Sequence, residues 1–238
     1  MSQTVVFLKT HVWNNNIEEY AFKIYLETSV SRVDYYILLH DEGSLYSQII
    51  SPDLRKRTLK FTEVEIKKLY PQGYYDIRTS NHWIMMWFYH QYPNYQYYWS
   101  MEYDLRIHGN SNIIWNYHVH FDLLYPRGFR LGNNNMYRDK YCGGRLSDNE
   151  KYYGYLQLSR YSNRFLMHLD KVFQSGENGQ DELIIFSIIK RDGFTHSQEF
   201  LSKMIKGYWT WEPKYSNINR IMLDNLIEPG PFILHPIK

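Results

Sequence analysis

The sequence lacks the features that identify several large classes of protein. It has a single cysteine, Cys142, which cannot form a disulfide framework, so a reducing compartment is expected. Its most apolar run, Trp83 to Tyr89, is far too short to span a bilayer. Its first residues have no basic segment followed by an apolar one, the pattern of a secretory signal peptide. We therefore expect a cytoplasmic protein with no integral membrane contact.

The sequence also has no excess of charge of either sign. Its 27 basic and 25 acidic residues are interspersed, so no nucleic-acid-binding surface is expected. Of the 238 residues, 44% are hydrophobic and 22% are charged, which is the composition of a globular protein. This length is enough for one large domain with a substantial core. The oligomeric state is not indicated.

The beginning of the chain predicts a β-α-β unit. Thr4 to Lys9 is a short apolar and β-branched run, typical of a strand buried on both faces. Ile17 to Thr28 carries apolar residues at three-to-four spacing, typical of an amphipathic helix, and Val33 to Leu39 predicts a second strand. A β-α-β unit implies a parallel sheet with its functional loops at the carboxyl ends of the strands.

Later segments continue the alternation of helices and strands. The predicted strands are residues 58–61, 95–101 and 153–159. One short helix is predicted to begin after Thr62, and longer helices are predicted for residues 82–91, 160–173 and 183–190. The basic run Arg55-Lys56-Arg57 is interpreted as a solvated turn. Residues 127–144, rich in asparagine and glycine, predict a long surface loop.

Two carboxylates follow the strand predicted in mid-chain. The apolar run ends abruptly in Glu102-Tyr103-Asp104. Residues two apart on an extended segment point the same way, so Glu102 and Asp104 are able to converge on one divalent cation while Tyr103 turns into the core. The alternative is an ordinary strand end followed by a solvated turn.

The order of these motifs resembles that of a small, metal-dependent glycosyltransferase of the GT-A fold. The resemblance rests on the β-α-β opening, on Glu102-Tyr103-Asp104 at the place of an Asp-x-Asp motif, on a later acid pair and on a terminal His-Pro-Ile-Lys. Size and composition also resemble the glycosyltransferase domains of some large DNA viruses. The implied fold class is α/β, a single GT-A-like (Rossmann-like) domain with a central, mostly parallel mixed sheet flanked by helices. Residues 1–110 would form its nucleotide-binding half and residues 111–238 its acceptor-binding half.

The resemblance also implies an activity and a metal site. Such an enzyme moves a sugar from a nucleotide-diphosphate sugar to a glycan or other hydroxyl acceptor. It implies that Glu102, Asp104 and His235 bind the metal, and a carboxylate set with one imidazole suits Mn²⁺ better than Mg²⁺. The alternative for His235 is a surface residue near the end of the chain.

The donor nucleotide is expected beyond the carboxyl ends of the first strands, where open parallel sheets bind ligands. Its nucleoside is expected near Thr10, His11 and Asp41. Either Arg78 or Asn81 is expected near the ribose or phosphate, and Tyr103 and Lys238 complete the predicted donor-binding residues.

Two acids outside the metal motif are candidates for the catalytic base. If the sugar is transferred with inversion, a carboxylate must take the proton of the attacking hydroxyl. Glu182 is slightly preferred over Asp181, which precedes it at the start of a predicted helix. The alternative is that both acids only stabilise the helix N-terminus. Transfer with retention would not need this base, so the stereochemistry stays open.

Two other functions fit parts of the sequence. A non-catalytic carbohydrate- or nucleotide-binding module would keep the aromatic surface without the chemistry. A sugar nucleotidyltransferase would share the parallel sheet and the need for a metal. That enzyme class requires a glycine-rich phosphate loop after the first strand, whereas residues 10–16 contain no glycine.

Overall fold

The computed structural model of the chain describes residues 3–41, 43–71, 81–131, 146–147 and 150–238. Its strands are β1 Thr4–Thr10, β2 Asp34–His40, β3 Thr58–Phe61, β4 Tyr97–Glu102, β5 Arg106–His108, β6 Leu123–Leu124, β7 Arg130–Leu131, β8 Tyr152–Tyr153, β9 Leu158–Ser162, β10 His196–Ser197, β11 Ile205–Trp209 and β12 Phe232–His235. Its α-helices are α1 Asn15–Ser31, α2 Pro52–Arg57, α3 Glu63–Leu69, α4 His82–Gln91, α5 Asn112–Trp115, α6 Asn163–Gln174, α7 Asp181–Arg191, α8 Glu199–Ser202 and α9 Ser216–Asp224.

Seven strands form the central sheet, in the order β10-β6-β9-β4-β1-β2-β3. The pairs that join β1, β2, β3 and β4 are parallel, and β9 is antiparallel to both of its neighbours. A smaller sheet has the order β11-β12-β5, in which β12 is antiparallel to β5. The fold class predicted from the sequence, an α/β fold with a central, mostly parallel mixed sheet flanked by helices, is confirmed.

The sheet separates two hydrophobic cores, because side chains alternate along each strand. In β1, Val5 and Phe7 face the core that contains the apolar residues of α4, α6 and α7. Val6 and Leu8 face the opposite core, against α1 and α2. The same alternation determines which face receives the polar residues at the strand ends.

Local capping determines where several helices begin. The side chain of Asn14 accepts a hydrogen bond from the N–H of Ile17 at the start of α1. Thr62 and Glu65 form a reciprocal capping box at the start of α3, as the predicted helix after Thr62 suggests. Ser162 caps α6 by accepting from the N–H of Phe165.

The structure corrects two predicted segments. Residues 153–159 are not one strand, because the chain is irregular between β8 and β9. A Cβ on Gly154 would lie 2.4 Å from the carbonyl oxygen of Gly128, so the backbone there is held against another segment. The run Arg55-Lys56-Arg57 is not a solvated loop segment but the C-terminal end of helix α2, where cations interact favourably with the helix dipole.

Other sequence-based expectations fall on undescribed residues or concern the membrane. The predicted loop at residues 127–144 lies outside the described residues from position 132 onward, and its first part contains β7. Within the described ranges, none of the helices has the length and apolar character needed to cross a membrane.

Candidate metal and acid-pair site

The candidate site begins where β1 and β4 end side by side. Lys9 and Glu102 are register partners in these parallel strands. Side-chain alternation places both on the face covered by α4 and α7, and the Nζ of Lys9 lies 4.0 Å from Oε1 of Glu102. Lys9 is buried, whereas Glu102 is half-buried. A buried lysine therefore lies within ion-pair distance of the first acid of the motif.

The second acid reaches the site through a turn. The strand ends at Glu102, and the N–H of Leu105 bonds to the carbonyl oxygen of Glu102 at 3.2 Å, which reverses the chain. Asp104 is only 6% exposed, and its carbonyl oxygen accepts from the N–H of Ile237 at 2.7 Å. The two carboxylates thus converge because of this turn, and not because Asp104 continues an extended strand as the sequence suggested.

His235 completes the cluster from the other end of the chain. It is the last residue of β12, which pairs with β5 on one side and β11 on the other. Its Nε2 lies 3.3 Å from Oδ1 of Asp104 and 3.6 Å from Oε2 of Glu102. One ligand atom from each of the three residues lies within 4.8 Å of the other two.

This donor set fits a divalent cation. Cis ligands of an octahedral ion at about 2.1–2.2 Å lie about 3 Å apart, close to the observed imidazole–carboxylate separations. Two carboxylate oxygens and one imidazole nitrogen are compatible with the Mn²⁺ expected from the sequence. The Nδ1 of His235 is buried and has no hydrogen-bond partner among the described residues, so in this structure its orientation depends on Nε2 and on packing.

The same atoms also form an ion-pair cluster. Burial lowers the pKa of His235, but the contacts with Asp104 and Glu102 outweigh this effect and raise the pKa to about 9. Burial raises the pKa of Asp104, and His235 and Lys238 more than reverse that shift, so the pKa is lowered overall. The Nζ of Lys238 lies 3.8 Å from Oδ2 of Asp104. Metal binding must therefore compete with a proton on His235 and with nearby ammonium groups.

The predicted acid pair lies at the start of α7, inside the protein. Asp181 is 6% exposed and Glu182 is 3% exposed. Burial raises the pKa of Asp181 to about 7, with Glu102 adding to this and Lys9 opposing it. Burial also raises the pKa of Glu182 well above its ordinary value, with the adjacent Asp181 carboxyl as the second cause. The two acids titrate as a pair that keeps protons to higher pH than ordinary carboxyls.

Neither acid is the N-cap of the helix. The N-cap of α7 is Gln180, whose side chain makes no capping bond. Oδ1 of Asp181 accepts from the N–H of Glu182 at 2.7 Å, whereas Oε1 of Glu182 accepts from Nε2 of Gln157 at 2.7 Å. Asp181 thus contributes to the helix start, and the carboxyl of Glu182 faces another segment of the chain.

Several predicted donor-binding residues surround the metal candidates. The side-chain amide of Asn81 donates to Oε1 of Glu102 at 3.4 Å. The rings of His11 and Tyr103 meet edge to face at 5.0 Å, and His11 is near enough to Asp104 for that carboxylate to raise its pKa. Burial is the larger effect, so the pKa of His11 is lowered overall. Thr10, in contrast, is buried with its hydroxyl engaged by the backbone of Val12, and no described contact joins it to the metal candidates.

Two further predicted donor-binding residues are not brought to this cluster by any described contact. The carboxylate of Asp41 accepts from the N–H groups of Gly43, Leu45 and Tyr46 and so stabilises the turn that follows β2. These backbone bonds lower its pKa despite the opposing effect of burial. Arg78 lies outside the described residues. Nucleotide contacts for both residues stay predictions.

Sequence reasoning did not single out four buried residues at this site, namely Lys9, His82, Gln157 and Trp209. Burial and the nearby Lys9 lower the pKa of His82 to about 3, so this ring is neutral. Lys9 ends an ordinary apolar run, and the strand register that places it beside Glu102 is not visible in the sequence. Gln157 and Trp209 come together only in the folded chain.

No known protein-family model matches the sequence, and neither does any curated protein. Solved structures give distant matches. One is a glycosyltransferase involved in glycosylation of the major capsid of PBCV-1, with 9% sequence identity and a TM-score of 0.35. This match covers 72% of the present chain and 65% of the glycosyltransferase chain, so it spans less than two thirds of that protein. The galactosyltransferase LgtC, in complex with donor and acceptor sugar analogues, is 8% identical, with a TM-score of 0.46. That match covers 99% of the present chain and 87% of the LgtC chain. The inositol-1-phosphate CTP transferase from T. maritima is 9% identical, with a TM-score of 0.46, and the match covers 81% of the present chain and 83% of the transferase chain. No residue role follows from these similarities.

Proposed function

We propose that this protein is a GT-A-type glycosyltransferase that moves a sugar from a nucleotide-diphosphate sugar to an acceptor hydroxyl. One observation carries the proposal. Glu102 and Asp104 are far from His235 in the sequence, yet the ligand atoms of all three residues meet within 4.8 Å near the carboxyl end of β4. Ligands of open, mostly parallel sheets bind beyond the carboxyl ends of the strands. The three residues would hold Mn²⁺ or Mg²⁺ there.

The proposed chemistry divides the site into a metal part and a base part. A bound divalent ion supplies positive charge beside the diphosphate leaving group. In transfer with inversion, Glu182 takes the proton from the acceptor hydroxyl as the acceptor oxygen bonds to the anomeric carbon and the bond to the nucleoside diphosphate breaks. A carboxyl with a raised pKa is a stronger base once ionised, which supports Glu182 in this role.

The metal part is tested by Asp104→Asn. This change keeps the size of the side chain and removes its charge, so Mn²⁺-dependent binding of nucleoside diphosphate should be lost. Titration of Mn²⁺ in the presence of nucleoside diphosphate measures it, with Asp224→Asn, an exposed aspartate at the end of α9, as the matched control. Binding as tight as in the parent protein would show that the cluster is only a set of ion pairs.

The base part is tested by Glu182→Gln. Sugar transfer should fall by roughly two to four orders of magnitude, because general-base catalysis is lost, while Mn²⁺ and nucleotide binding stay unchanged. Transfer is measured with a panel of nucleotide sugars and simple glycosides. Full activity in this variant and in Asp181→Asn would mean that the acid pair has no part in proton transfer.

Donor hydrolysis separates this proposal from a non-catalytic binding module. A glycosyltransferase releases nucleoside diphosphate slowly to water when it holds donor and metal, whereas a binding module releases none. Before that assay, thermal unfolding with each nucleotide sugar, with and without Mn²⁺, identifies the donor, because a ligand that binds only the folded state stabilises it by an amount that grows with the ratio of its concentration to its dissociation constant.

A further inference from the structure

The side-chain amide of Gln157 lies between the acid pair and the second sheet. Its Nε2 donates to Oε1 of Glu182 at 2.7 Å, and its Oε1 accepts from Nε1 of Trp209 at 3.2 Å. All three side chains are at least 95% buried. Because an indole N–H only donates, the Trp209 bond fixes the orientation of the amide, so the NH₂ group must face the carboxyl.

This arrangement makes the two oxygens of Glu182 different. Oε1 is engaged by Gln157, whereas Oε2 is buried and makes no hydrogen bond within the described part of the chain. The indole of Trp211 lies close enough to Glu182 to lower its pKa. A buried carboxylate oxygen without a partner is costly unless a ligand or water meets it. Oε2 is therefore the oxygen that Gln157 leaves without a bond, with the indole N–H of Trp211 as a further donor near this carboxyl.

We propose that Gln157 is a positioning residue, which holds Oε1 of Glu182 so that Oε2 is presented to the acceptor hydroxyl. The role in transfer rests on the proposed function of Glu182. A neutral amide suits this task, since it orients the carboxyl while leaving its negative charge available to take a proton. A lysine or arginine at the same place would stabilise the ionised form far more and weaken the base.

Trp209 extends the same contact toward the metal candidates. It lies at the end of β11, and its ring centroid is 5.5 Å from that of His235. Trp209 thus packs against one candidate metal ligand and bonds to the residue that holds the candidate base. The buried indole and the Gln157 amide thus connect the two parts of the site through side-chain contacts.

Gln157→Leu tests the contact because it keeps most of the volume and removes the amide. Carbon-13 NMR of glutamate side-chain carboxyls, with Glu182→Gln for assignment, follows the protonation of Glu182 in the metal-free protein. The groups whose charges bear on the titration of this acid pair are Asp181 itself, Lys9, Glu102, Tyr155 and Tyr161. Gln157 lowers the pKa of Glu182, so its loss should move the titration midpoint upward by about one pH unit.

The same variant should lower kcat about tenfold or more at neutral pH with the donor KM unchanged, and higher pH should restore part of the loss. Trp209→Phe keeps a ring against His235 but removes the N–H, and it should shift the carboxyl titration in the same direction by a smaller amount. Gln198→Leu, an exposed glutamine that makes no capping bond at α8, is the matched control and should change neither quantity.

An unchanged Glu182 resonance and midpoint in folded Gln157→Leu would overturn the contact, and an unchanged kcat with a shifted midpoint would overturn the positioning role. A parent protein that transfers no sugar would overturn the role in transfer together with the proposed function. In that case the carboxyl titration still decides the contact by itself, so the two failures are distinguishable.

Discussion

Asp122 joins four elements of the fold and is a sharp test of how buried charge stabilises it. The residue directly precedes β6 and is 4% exposed. Its carboxylate accepts from the hydroxyl of Ser162 at 2.8 Å, from Nε of Arg164 at 3.2 Å, and from the N–H and hydroxyl of Thr195 at 3.0 and 2.9 Å. These partners lie at the end of β9, in the first turn of α6 and beside β10.

The magnitude follows from what Asp122→Asn removes. An amide group replaces one acceptor oxygen by a donor, so two donors lose their acceptor if the NH₂ group takes the place of Oδ1, and three if it takes the place of Oδ2. Hydrogen bonds to a charged group contribute about 1.5–3 kcal/mol each, but the guanidinium of Arg164 is exposed and its share is screened. We expect a loss of about 2–4 kcal/mol in the free energy of unfolding at pH 7. For a chain of this size, that lowers Tm by roughly 4–16 °C.

The effect should depend on pH with a definite sign. Burial raises the pKa of Asp122, but the bonds from Arg164, Ser162 and Thr195 outweigh burial and lower the pKa overall. An acid whose pKa is lower in the folded state stabilises the fold above the unfolded-state pKa, about 3.9. This stabilisation is lost as pH falls through the folded-state pKa. The difference between parent and variant should therefore shrink below about pH 4.

Urea unfolding at pH 7 and at pH 3 measures both quantities, with the exposed Asp224→Asn as the control. A loss below about 0.5 kcal/mol at pH 7 would refute the network as a source of stability. A loss of equal size at pH 3 would show that the charge of Asp122 has no part in it.

Three shorter predictions concern other features. Lys9→Met should raise the pKa of Asp181, because the ammonium group now lowers it, and carboxyl carbon-13 titration would contradict this by showing no upward shift. Thr62→Ala should cost about 1 kcal/mol by breaking the capping box with Glu65, whereas Thr62→Ser should be nearly neutral in urea unfolding; equal losses would exclude the cap. Sugar transfer should rise as pH is raised through about 7, because burial raises the pKa of Asp181 to about 7 and raises the pKa of Glu182 well above its ordinary value, so the pair gains its basic form in this direction; a rate that is constant from pH 6 to 8 would contradict their role.

The sequence predicts the fold best where one hydrophobic pattern extends over a whole segment. The run from Thr4 to Lys9 is apolar at nearly every position, and β1 has helices on both faces, so the expectation of a doubly covered parallel strand is confirmed. The prediction fails at residues 153–159, where a local apolar pattern is interrupted by tertiary contacts. Gly154 packs against Gly128 and Phe186, and neither neighbour is close in sequence.

Only part of the candidate site is predictable from the sequence, for a related reason. The acid-x-acid motif is a local sequence pattern, and its position just after a buried strand indicates that it lies where the carboxyl end of that strand meets solvent. Whether Asp104 continues the strand or follows a turn depends on the Leu105–Glu102 backbone bond, which the spacing does not reveal. The partner of Glu102 on β1 depends on strand register, so Lys9 was not singled out as a site residue.

The segment that carries His235 shows the limit of local patterns most clearly. Its sequence, Phe-Ile-Leu-His-Pro-Ile, reads as a short apolar strand, and nothing in its spacing indicates a ligand. The histidine is brought to Asp104 because β12 pairs with β5, which begins two residues after that acid. The strand pairing therefore brings one candidate ligand to another across most of the chain. A site of this kind is a consequence of topology, and only the resemblance to a fold family, not the residues themselves, predicted it.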